Sequence, residues 1–195
     1  MSDISNCRVL VVDDTKADVD VLVETLRDSY KISVALDGEN ALRNVSRNKP
    51  DLILLDIMMP GLDGYEVAAR LKDNPETADI PIIFISALTE EKDKTTAFAH
   101  GGVDYVTKPF EAYEVKARVR THLQLRTAQQ AKDEISRRIA EELKKPLGET
   151  MQVLRELIAN PDPAELSDKL TRLLESIRAG HELCDELAAG HSSKG

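Results

Sequence analysis

The sequence is poor in aromatic residues and in cysteine. Its 195 residues include no Trp, three Phe and four Tyr, so a folded core must be mostly aliphatic. The two cysteines, Cys7 and Cys184, lie near opposite ends and match no metal-site spacing. We therefore expect a reduced, cytoplasmic location. No apolar run approaches the roughly 20 residues that span a bilayer, and the N-terminus lacks a signal-peptide pattern, so we expect no membrane association.

Positive charge is also scarce. The chain has 35 acidic and 26 basic side chains and a formal net charge of −9. Residues 1–120 contain 22 acidic and 15 basic side chains, a net charge of −7, and residues 121–195 contain 13 and 11, a net charge of −2. Neither part has the basic surface that phosphate contacts require, so the composition disfavours direct binding of nucleic acid. Apolar residues still make up 42 % of the chain, which is enough for a packed core.

The first part of the chain alternates between short apolar runs and segments with helical periodicity. The apolar runs, which predict strands, are residues 8–12, 31–36, 51–55, 82–86 and 103–107. Helical spacing is found in residues 15–27, 39–47, 65–71 and 89–100, and again from about Glu111. Strands that are apolar throughout are buried on both faces, as in a parallel sheet between helices. With right-handed crossovers, the pattern predicts an α/β fold with a five-stranded, doubly wound parallel sheet.

Polar side chains follow four of the predicted strands. Asp13 and Asp14 follow the first strand, Asp56 the third, Ser86 the fourth and Lys108 the fifth. Ligands of doubly wound domains bind at the carboxyl ends of the strands, so we expect these residues to converge. Three close carboxylates favour a hard cation such as Mg²⁺, and Lys108 and Ser86 add an ammonium and a hydroxyl. This set suits a phosphoryl group with an Asp nucleophile, although Asp13 and Asp14 taken alone fit helix capping equally well.

These residues lie in motifs that resemble the receiver domain of two-component response regulators. The motifs are VLVVDD at 9–14, LILLDIMMPGLDGYE at 52–66, IIFISAL at 82–88 and YVTKPF at 105–110. The resemblance covers about residues 6–122 and implies a flavodoxin-like receiver domain over residues 1–122. It also implies a phosphoacceptor regulator that is not an enzyme, with Mg²⁺ as cofactor and a histidine kinase or phosphotransfer protein as the phosphoryl donor.

The resemblance implies a role for each residue of the acidic cluster. Asp56 would be the phosphoacceptor and would also contact the metal. Asp14 would bind Mg²⁺ directly, and Asp13 would bind it directly or through water. The backbone carbonyl of Met58 would complete the metal site.

It also implies roles for the residues around the phosphoryl group. Ser86 and Lys108 would contact that group, and Lys108 would precede a cis bond to Pro109. Tyr105 stands at the aromatic switch position, which turns inward when Ser86 moves toward the phosphate. Met58 and Leu88 stand at the two positions that flank the path of attacking water. Both side chains are apolar and cannot orient water, so we predict slow autodephosphorylation.

Residues 123–190 predict a helical hairpin. Helical spacing continues to residue 158, the sequence Asn160-Pro161-Asp162-Pro163 interrupts it, and a second helix is expected at 165–188. The two apolar stripes are Ile135, Ile139, Leu143, Leu147, Met151, Leu154 and Ile158, and then Leu166, Leu170, Leu173, Ile177, Gly180, Cys184 and Leu187. Two helices alone bury too little apolar surface, so we expect residues 123–190 to form a homodimeric four-helix bundle. Residues 191–195 are expected to be a disordered tail.

The first helix of this hairpin resembles the dimerisation and phosphotransfer helix of sensor kinases. EELKKPL resembles their His-Glu-Leu-x-x-Pro-Leu pattern, and the resemblance covers roughly residues 130–190. Glu141 stands at the histidine position, so a phosphorylatable imidazole is missing there, and Lys145 replaces a Thr or Asn linked to phosphatase activity. Pro146 is expected to kink the helix. A plain amphipathic hairpin unrelated to kinases remains the alternative.

These features predict a phosphorylation-switched signalling protein whose dimeric hairpin acts on protein partners. Other receivers or kinases are candidate partners, because the hairpin resembles the surface on which kinases dock receivers. A second hypothesis is a histidine phosphotransferase that relays the phosphoryl group through His181 or His122. A third, a transcription factor, is disfavoured by the near-neutral C-terminal part and by the lack of a helix-turn-helix pattern.

Overall fold

The structure is a computed structural model that describes residues 4–87, 91–159 and 166–192. The chain divides into two compact units, Met1–Gln129 and Gln130–Gly195. This division lies beyond residue 122, where the sequence places the end of the first domain. None of the described helices has both the length and the apolar character that crossing a membrane requires.

The first unit alternates strands with helices. The strands are β1 (Arg8–Val12), β2 (Lys31–Ala35), β3 (Leu52–Asp56), β4 (Ile82–Ser86) and β5 (Asp104–Thr107). The helices are α1 (Lys16–Leu26), α2 (Gly38–Arg47), α3 (Gly64–Asp73) and α4 (Glu91–Ala99), followed by the start of α5 (Ala112–Ala159). Every predicted strand is present, with ends that differ by a residue or so, because each apolar run is bounded by polar, Gly or Pro residues that favour turns.

The strands form one parallel sheet in the order β2-β1-β3-β4-β5. In register, Val12 of β1 lies opposite Leu55 of β3, and Asp56 lies opposite Ile85 of β4. Chain progression reverses between β1 and β3, which is the switch point where ligands of such sheets bind. The predicted doubly wound, flavodoxin-like architecture is therefore confirmed.

Both faces of the sheet are buried. Along β1, Val9 and Val11 belong to a core cluster with residues of α1 and α5, whereas Leu10 and Val12 belong to a cluster with residues of α2, α3 and α4. All four side chains are at most 1 % exposed. This two-sided burial explains why the strands are apolar throughout rather than alternating.

The loop after β3 requires glycine at its end. A Cβ on Gly64 would lie 2.2 Å from the backbone oxygen of Asp56, and the Gly64 N–H donates to the Ile57 carbonyl at 3.0 Å. Asp63 and Glu66 then form a capping box that starts α3. Gly61 has a φ of 80°, which side chains other than glycine rarely adopt. Both glycines therefore serve the turn.

The second unit contains the rest of α5 and α6 (Leu166–Ser192), which lie antiparallel. The Pro146 carbonyl accepts hydrogen bonds from Thr150 Oγ1 and Ser176 Oγ, each at 2.8 Å. Nearer the α5 end, Glu156 lies 3.9 Å from Arg172. Helix α5 continues without interruption through Pro146, where the sequence predicts a kink.

Much of the first predicted apolar stripe lies outside the contact between α5 and α6. Leu147, Met151 and Ile158 are 61, 51 and 81 % exposed, whereas Val153, which is not in the stripe, is buried. The predicted breaker at 160–163 lies outside the described residues. Helix α6 extends to Ser192, so the first two residues of the predicted tail are helical, and residues 193–195 are outside the described part of the chain.

Candidate functional site

Three carboxylates meet at the switch point of the sheet. One oxygen from each of Asp13, Asp14 and Asp56 can be chosen so that all lie within 4.8 Å of one another. Asp13 and Asp56 are 1 and 3 % exposed, whereas Asp14 is exposed. Neighbouring strands place them there, because β1 ends at Val12 and β3 ends at Asp56. The structure thus brings together the carboxylates that the sequence places at the strand ends.

Lys108 directly follows β5 and places its ammonium beside this cluster. Its Nζ lies 2.7 Å from Asp13 Oδ2, 3.2 Å from Asp56 Oδ1 and 2.8 Å from Asp18 Oδ2. The Lys108–Pro109 peptide bond is cis, as the resemblance implies. Sequence reasoning missed Asp18, although a signal was available: it lies four residues after Asp14, in the first turn of α1.

Burial and the charges of the cluster shift the pKa values of Asp56 and Lys108. Burial raises the pKa of Asp56, the Lys108 ammonium opposes that rise, and the nearby charge of Asp13 adds to it. Burial alone would lower the pKa of Lys108. Hydrogen bonds to Asp13 and Asp18, together with the charge of Asp56, instead hold that pKa well above its usual value. Lys108 is therefore a permanent cation at neutral pH.

The donor set fits a hard divalent cation. The Lys108 ammonium contacts Asp13, Asp18 and Asp56, and Asp14 lies with Asp13 and Asp56, so four carboxylates and one ammonium give the ionised site excess negative charge. Carboxylate oxygens are the ligands that Mg²⁺ prefers, and Asp14 keeps the site open to solvent. An added cation would also lower the pKa of Asp56, which burial and the nearby charge of Asp13 raise.

The other predicted site residues lie at or beside the same strand ends. Ser86, the last residue of β4, is fully buried, and its carbonyl accepts the Lys108 N–H at 2.8 Å. Tyr105 on β5 is 6 % exposed and belongs to the core cluster under α2, α3 and α4. Met58, two residues after Asp56, has a side chain that is 64 % exposed. Leu88 lies outside the described residues.

The two histidines of the alternative hypothesis differ in accessibility. His122 has 16 % of its side chain exposed, and its Nε2 lies 3.1 Å from Asp104 Oδ2. His181 on α6 is exposed. Glu141, at the position that resembles the kinase histidine, is exposed and pairs with Arg137 at 3.1 Å. Of the two histidines, His181 is thus the more open to a phosphoryl donor.

The strand order of the sheet and the residues at the switch point together define a flavodoxin-like domain with an acidic pocket of the phosphoacceptor type. The sequence model described as the response regulator receiver domain matches residues 9–120. The chain therefore belongs to the family of response regulator receiver proteins. Residues 130–195, the second unit, lie outside this match.

Known relatives match about 60 % of this chain. A probable cyclic di-GMP phosphodiesterase of Vibrio cholerae is 41 % identical over 124 residues, which are 64 % of this chain and 28 % of that protein. Response regulator PleD of Caulobacter vibrioides is 44 % identical over 117 residues, 60 % of this chain and 26 % of PleD. The chain thus spans only about a quarter of the length of these relatives.

Solved structures show the same fold. A putative response regulator from Chloroflexus aurantiacus superposes with a TM-score of 0.59 at 34 % identity, covering 61 % of this chain and 98 % of that one. The BeF3-activated DrrB receiver domain superposes with a TM-score of 0.56 at 28 % identity, covering 61 and 98 %.

Proposed function

We propose that this chain is a phosphorylation-switched signalling protein that takes a phosphoryl group from a phosphohistidine onto Asp56. The donor is a histidine kinase or a phosphotransfer protein. The observation that supports this is the Lys108 ammonium, which lies 3.2 Å from the buried Asp56 carboxylate at the switch point of the sheet. In the transfer, an Asp56 oxygen forms a bond to phosphorus while the P–N bond of the donor breaks, and the freed imidazole takes up a proton.

The surrounding residues supply charge and hydrogen bonding for this transfer. Asp13, Asp14, Asp56 and the Met58 carbonyl would hold Mg²⁺, which neutralises phosphoryl oxygens when it is bound. Lys108 would hold a further phosphoryl oxygen, because its raised pKa keeps it charged.

A change at Ser86 would carry the signal away from the phosphoryl group. The Ser86 hydroxyl would move toward that group, and Tyr105, which is buried on β5, would follow as the switch residue. Because Met58 cannot orient an attacking water, the acyl phosphate should persist for minutes or longer. Loss of the phosphoryl group from purified protein within seconds would contradict this.

Labelling of the full chain tests the phosphoacceptor. Incubation with Mg²⁺ and radiolabelled acetyl phosphate should give a base-labile label that is absent in Asp56→Asn and retained in His181→Ala and His122→Ala. A label that survives in Asp56→Asn, is stable to base and disappears in His181→Ala would instead support the relay hypothesis.

We propose that the second unit pairs with a second copy of this chain. In the single chain, Leu147, Ile158 and Leu174 are 61, 81 and 66 % exposed, and Met151 and Ile177 are about half exposed. Such a set of large apolar side chains on two adjacent helices is costly to leave in water, at about 25 cal/mol per Å². Two hairpins packed as a four-helix bundle would cover it.

The output of this dimer is proposed to be a protein partner, such as another receiver or a kinase, in the cytoplasm. The charge balance of the second unit supports this, as does the resemblance of its first helix to a kinase helix that has lost its histidine at Glu141. One relative, the alkaline phosphatase synthesis transcriptional regulatory protein PhoP of Bacillus subtilis, is 44 % identical over 60 % of this chain. Because this relative is named as a transcriptional regulator, a pull-down that tests for protein partners is accompanied by a gel-shift titration with duplex DNA. A shift at physiological salt would contradict the protein-partner output.

A further inference from the structure

The free edge of the sheet carries a groove that the phosphoacceptor site does not use. Strand β2 is an edge strand, with β1 as its neighbour. Two cavities of about 400 and 210 Å³ lie along it, and Asn44 and Asn48 line both. We call this surface the β2–α2 groove: it is lined by Arg8, residues 31–36 and residues between 40 and 48.

The charge of this groove is opposite to that of the molecule. Arg8, Lys31, Arg43 and Arg47 line it, and none of the described lining residues is acidic. The chain as a whole carries a net charge of −9. The guanidinium of Arg43 donates to the side-chain oxygen of Asn40 at 2.8 Å. A basic cluster on an acidic chain favours a partner with acidic residues.

The backbone of β2 offers hydrogen bonds along the same groove. The Lys31 N–H donates to the Cys7 carbonyl at 2.9 Å, and the Ala35 carbonyl accepts from Asp13 at 3.2 Å, so these residues face β1. Because neighbouring residues of a parallel strand point their backbone groups to opposite sides, Ile32 and Val34 present theirs to the free edge. Val34 is also 39 % exposed, which offers apolar contact to a bound chain.

We propose that the β2–α2 groove binds an extended, acidic peptide segment of another protein, which adds as a further strand beside β2. Backbone pairing with Ile32 and Val34 would supply affinity, and the basic side chains would select acidic residues. The amides of Asn44 and Asn48 offer both donors and acceptors at the rim of the groove. Charged edge strands also prevent aggregation, but that role requires neither paired cavities nor amides shared between them.

Other occupants fit this groove less well. A second copy of β2 would bring the same four cations against one another, which is repulsive. Single-stranded nucleic acid would meet the net charge of −7 of residues 1–120, and no aromatic side chain lines the groove to stack on bases. Among the candidates, an acidic peptide satisfies both the exposed backbone and the charge.

Fluorescence anisotropy with the full chain tests this proposal. The probe is a labelled, N-acetylated heptapeptide of alternating Glu and Val, with the same peptide carrying Lys for Glu as its control. Binding of the Glu peptide should weaken as salt rises and should exceed that of the Lys peptide at least tenfold. Arg47→Ala and Lys31→Ala should each weaken binding about three- to tenfold, whereas Lys116→Ala, an exposed cation on α5, should leave it unchanged.

Val34→Pro tests the strand pairing itself. Proline removes an N–H that points to the free edge and leaves the bonds to β1 in place, so binding should fall at least tenfold while the far-ultraviolet circular dichroism stays unchanged. If that variant unfolds, Asn44→Leu replaces it and should weaken binding severalfold. Binding should also persist in Asp56→Asn, which separates this site from the phosphoacceptor.

Three results would overturn the proposal. The first is no binding of the Glu peptide at millimolar concentration. The second is equal binding by a folded Val34→Pro, or by Asn44→Leu where that variant replaces it. The third is tighter binding of an oligothymidylate than of the peptide, which would assign the groove to nucleic acid.

Discussion

Lys108 Nζ lies closer to Asp18 Oδ2, at 2.8 Å, than to Asp56 Oδ1, at 3.2 Å. The ammonium that would hold a phosphoryl oxygen is therefore shared with a carboxylate of α1, in the absence of a phosphoryl group. Asp18 competes for Lys108, so the proposed phosphorylation of Asp56 would have to displace part of that contact.

Asp18→Asn should therefore strengthen binding of a phosphoryl mimic. Without the charge of Asp18, Lys108 keeps its contact with Asp13 at 2.7 Å but can move toward Asp56, and we expect the beryllofluoride concentration needed for half-saturation to fall about two- to fivefold, or about 0.5–1 kcal/mol. The measurement is a beryllofluoride titration at saturating Mg²⁺, followed by tyrosine fluorescence. Asp20→Asn, an exposed residue of the same helix, is the control and should not change the titration. Weaker binding in Asp18→Asn would show that Asp18 instead supports the site.

Asp56→Asn should stabilise the Mg²⁺-free protein at neutral pH. The pKa of Asp56 is raised in the folded state, chiefly by burial. Between the unfolded-state pKa and this raised pKa, the folded protein binds more protons than the unfolded one, so it loses stability as the pH rises through that range. A neutral amide removes this cost, and we expect a gain of about 1 kcal/mol, or a Tm higher by roughly 2–5 °C.

Thermal melts at pH 7 with and without Mg²⁺ measure this difference. The gain should shrink or reverse when Mg²⁺ is added, because the cation binds the native carboxylate and stabilises the folded state. It should also shrink as the pH falls, because Asp56, with its raised pKa, becomes protonated. Asp73→Asn, an exposed carboxylate on α3, serves as control. A Tm of Asp56→Asn below that of the native protein in EDTA would contradict the burial argument.

Gly64→Ala should destabilise the first unit strongly. The added Cβ would lie 2.2 Å from the Asp56 backbone oxygen, so the loop after β3 has to move, at a cost of about 2–4 kcal/mol. Gly148→Ala is the matched control. Nothing lies within 4 Å of a Cβ at that position inside α5, so alanine should be neutral or stabilise by up to about 1 kcal/mol. Urea unfolding measures both, and equal midpoints for the two variants would contradict the steric argument.

Leu174→Asp should weaken the proposed dimer without unfolding the chain. Leu174 is 66 % exposed in the single chain, so a charge there costs little unless a second copy covers it. We expect dimer dissociation to rise at least tenfold, as measured by sedimentation velocity across a concentration series with and without beryllofluoride. Thr171→Asp, an exposed polar position on the same helix, should behave like the native protein. Native protein that sediments as a monomer in both states would disprove the bundle.

Regular structure in the first unit was readable from the sequence because each element is bounded locally. Apolar runs such as 8–12 and 82–86 end at polar residues, and a strand buried on both faces cannot tolerate a polar side chain inside it. The same rule located Asp13, Asp56 and Lys108, since carboxyl ends of parallel strands share one edge of a sheet.

The packing of α5 against α6 in the second unit could be predicted less well from the sequence. The apolar stripe at Leu147, Met151 and Ile158 indicates that these side chains need an apolar contact, but it does not indicate which helix provides that contact. In the structure, α6 contacts α5 at Pro146 and Thr150 through Ser176, one position away from that stripe. Which face of α5 meets α6 depends on how the side chains of the two helices fit together, and a hydrophobic pattern does not encode that fit.

The sequence by itself determined the order of strands and helices, the parallel sheet and the acidic cluster at its switch point, because these follow from local periodicity and from the geometry common to all such sheets. Only the tertiary structure decided that Asp18 shares Lys108, that Gly64 lies against the backbone of Asp56 and that basic residues of α2 line the edge of β2. Each of these relations joins residues whose separation in sequence carries no periodic signal, and each depends on the distance between packed elements.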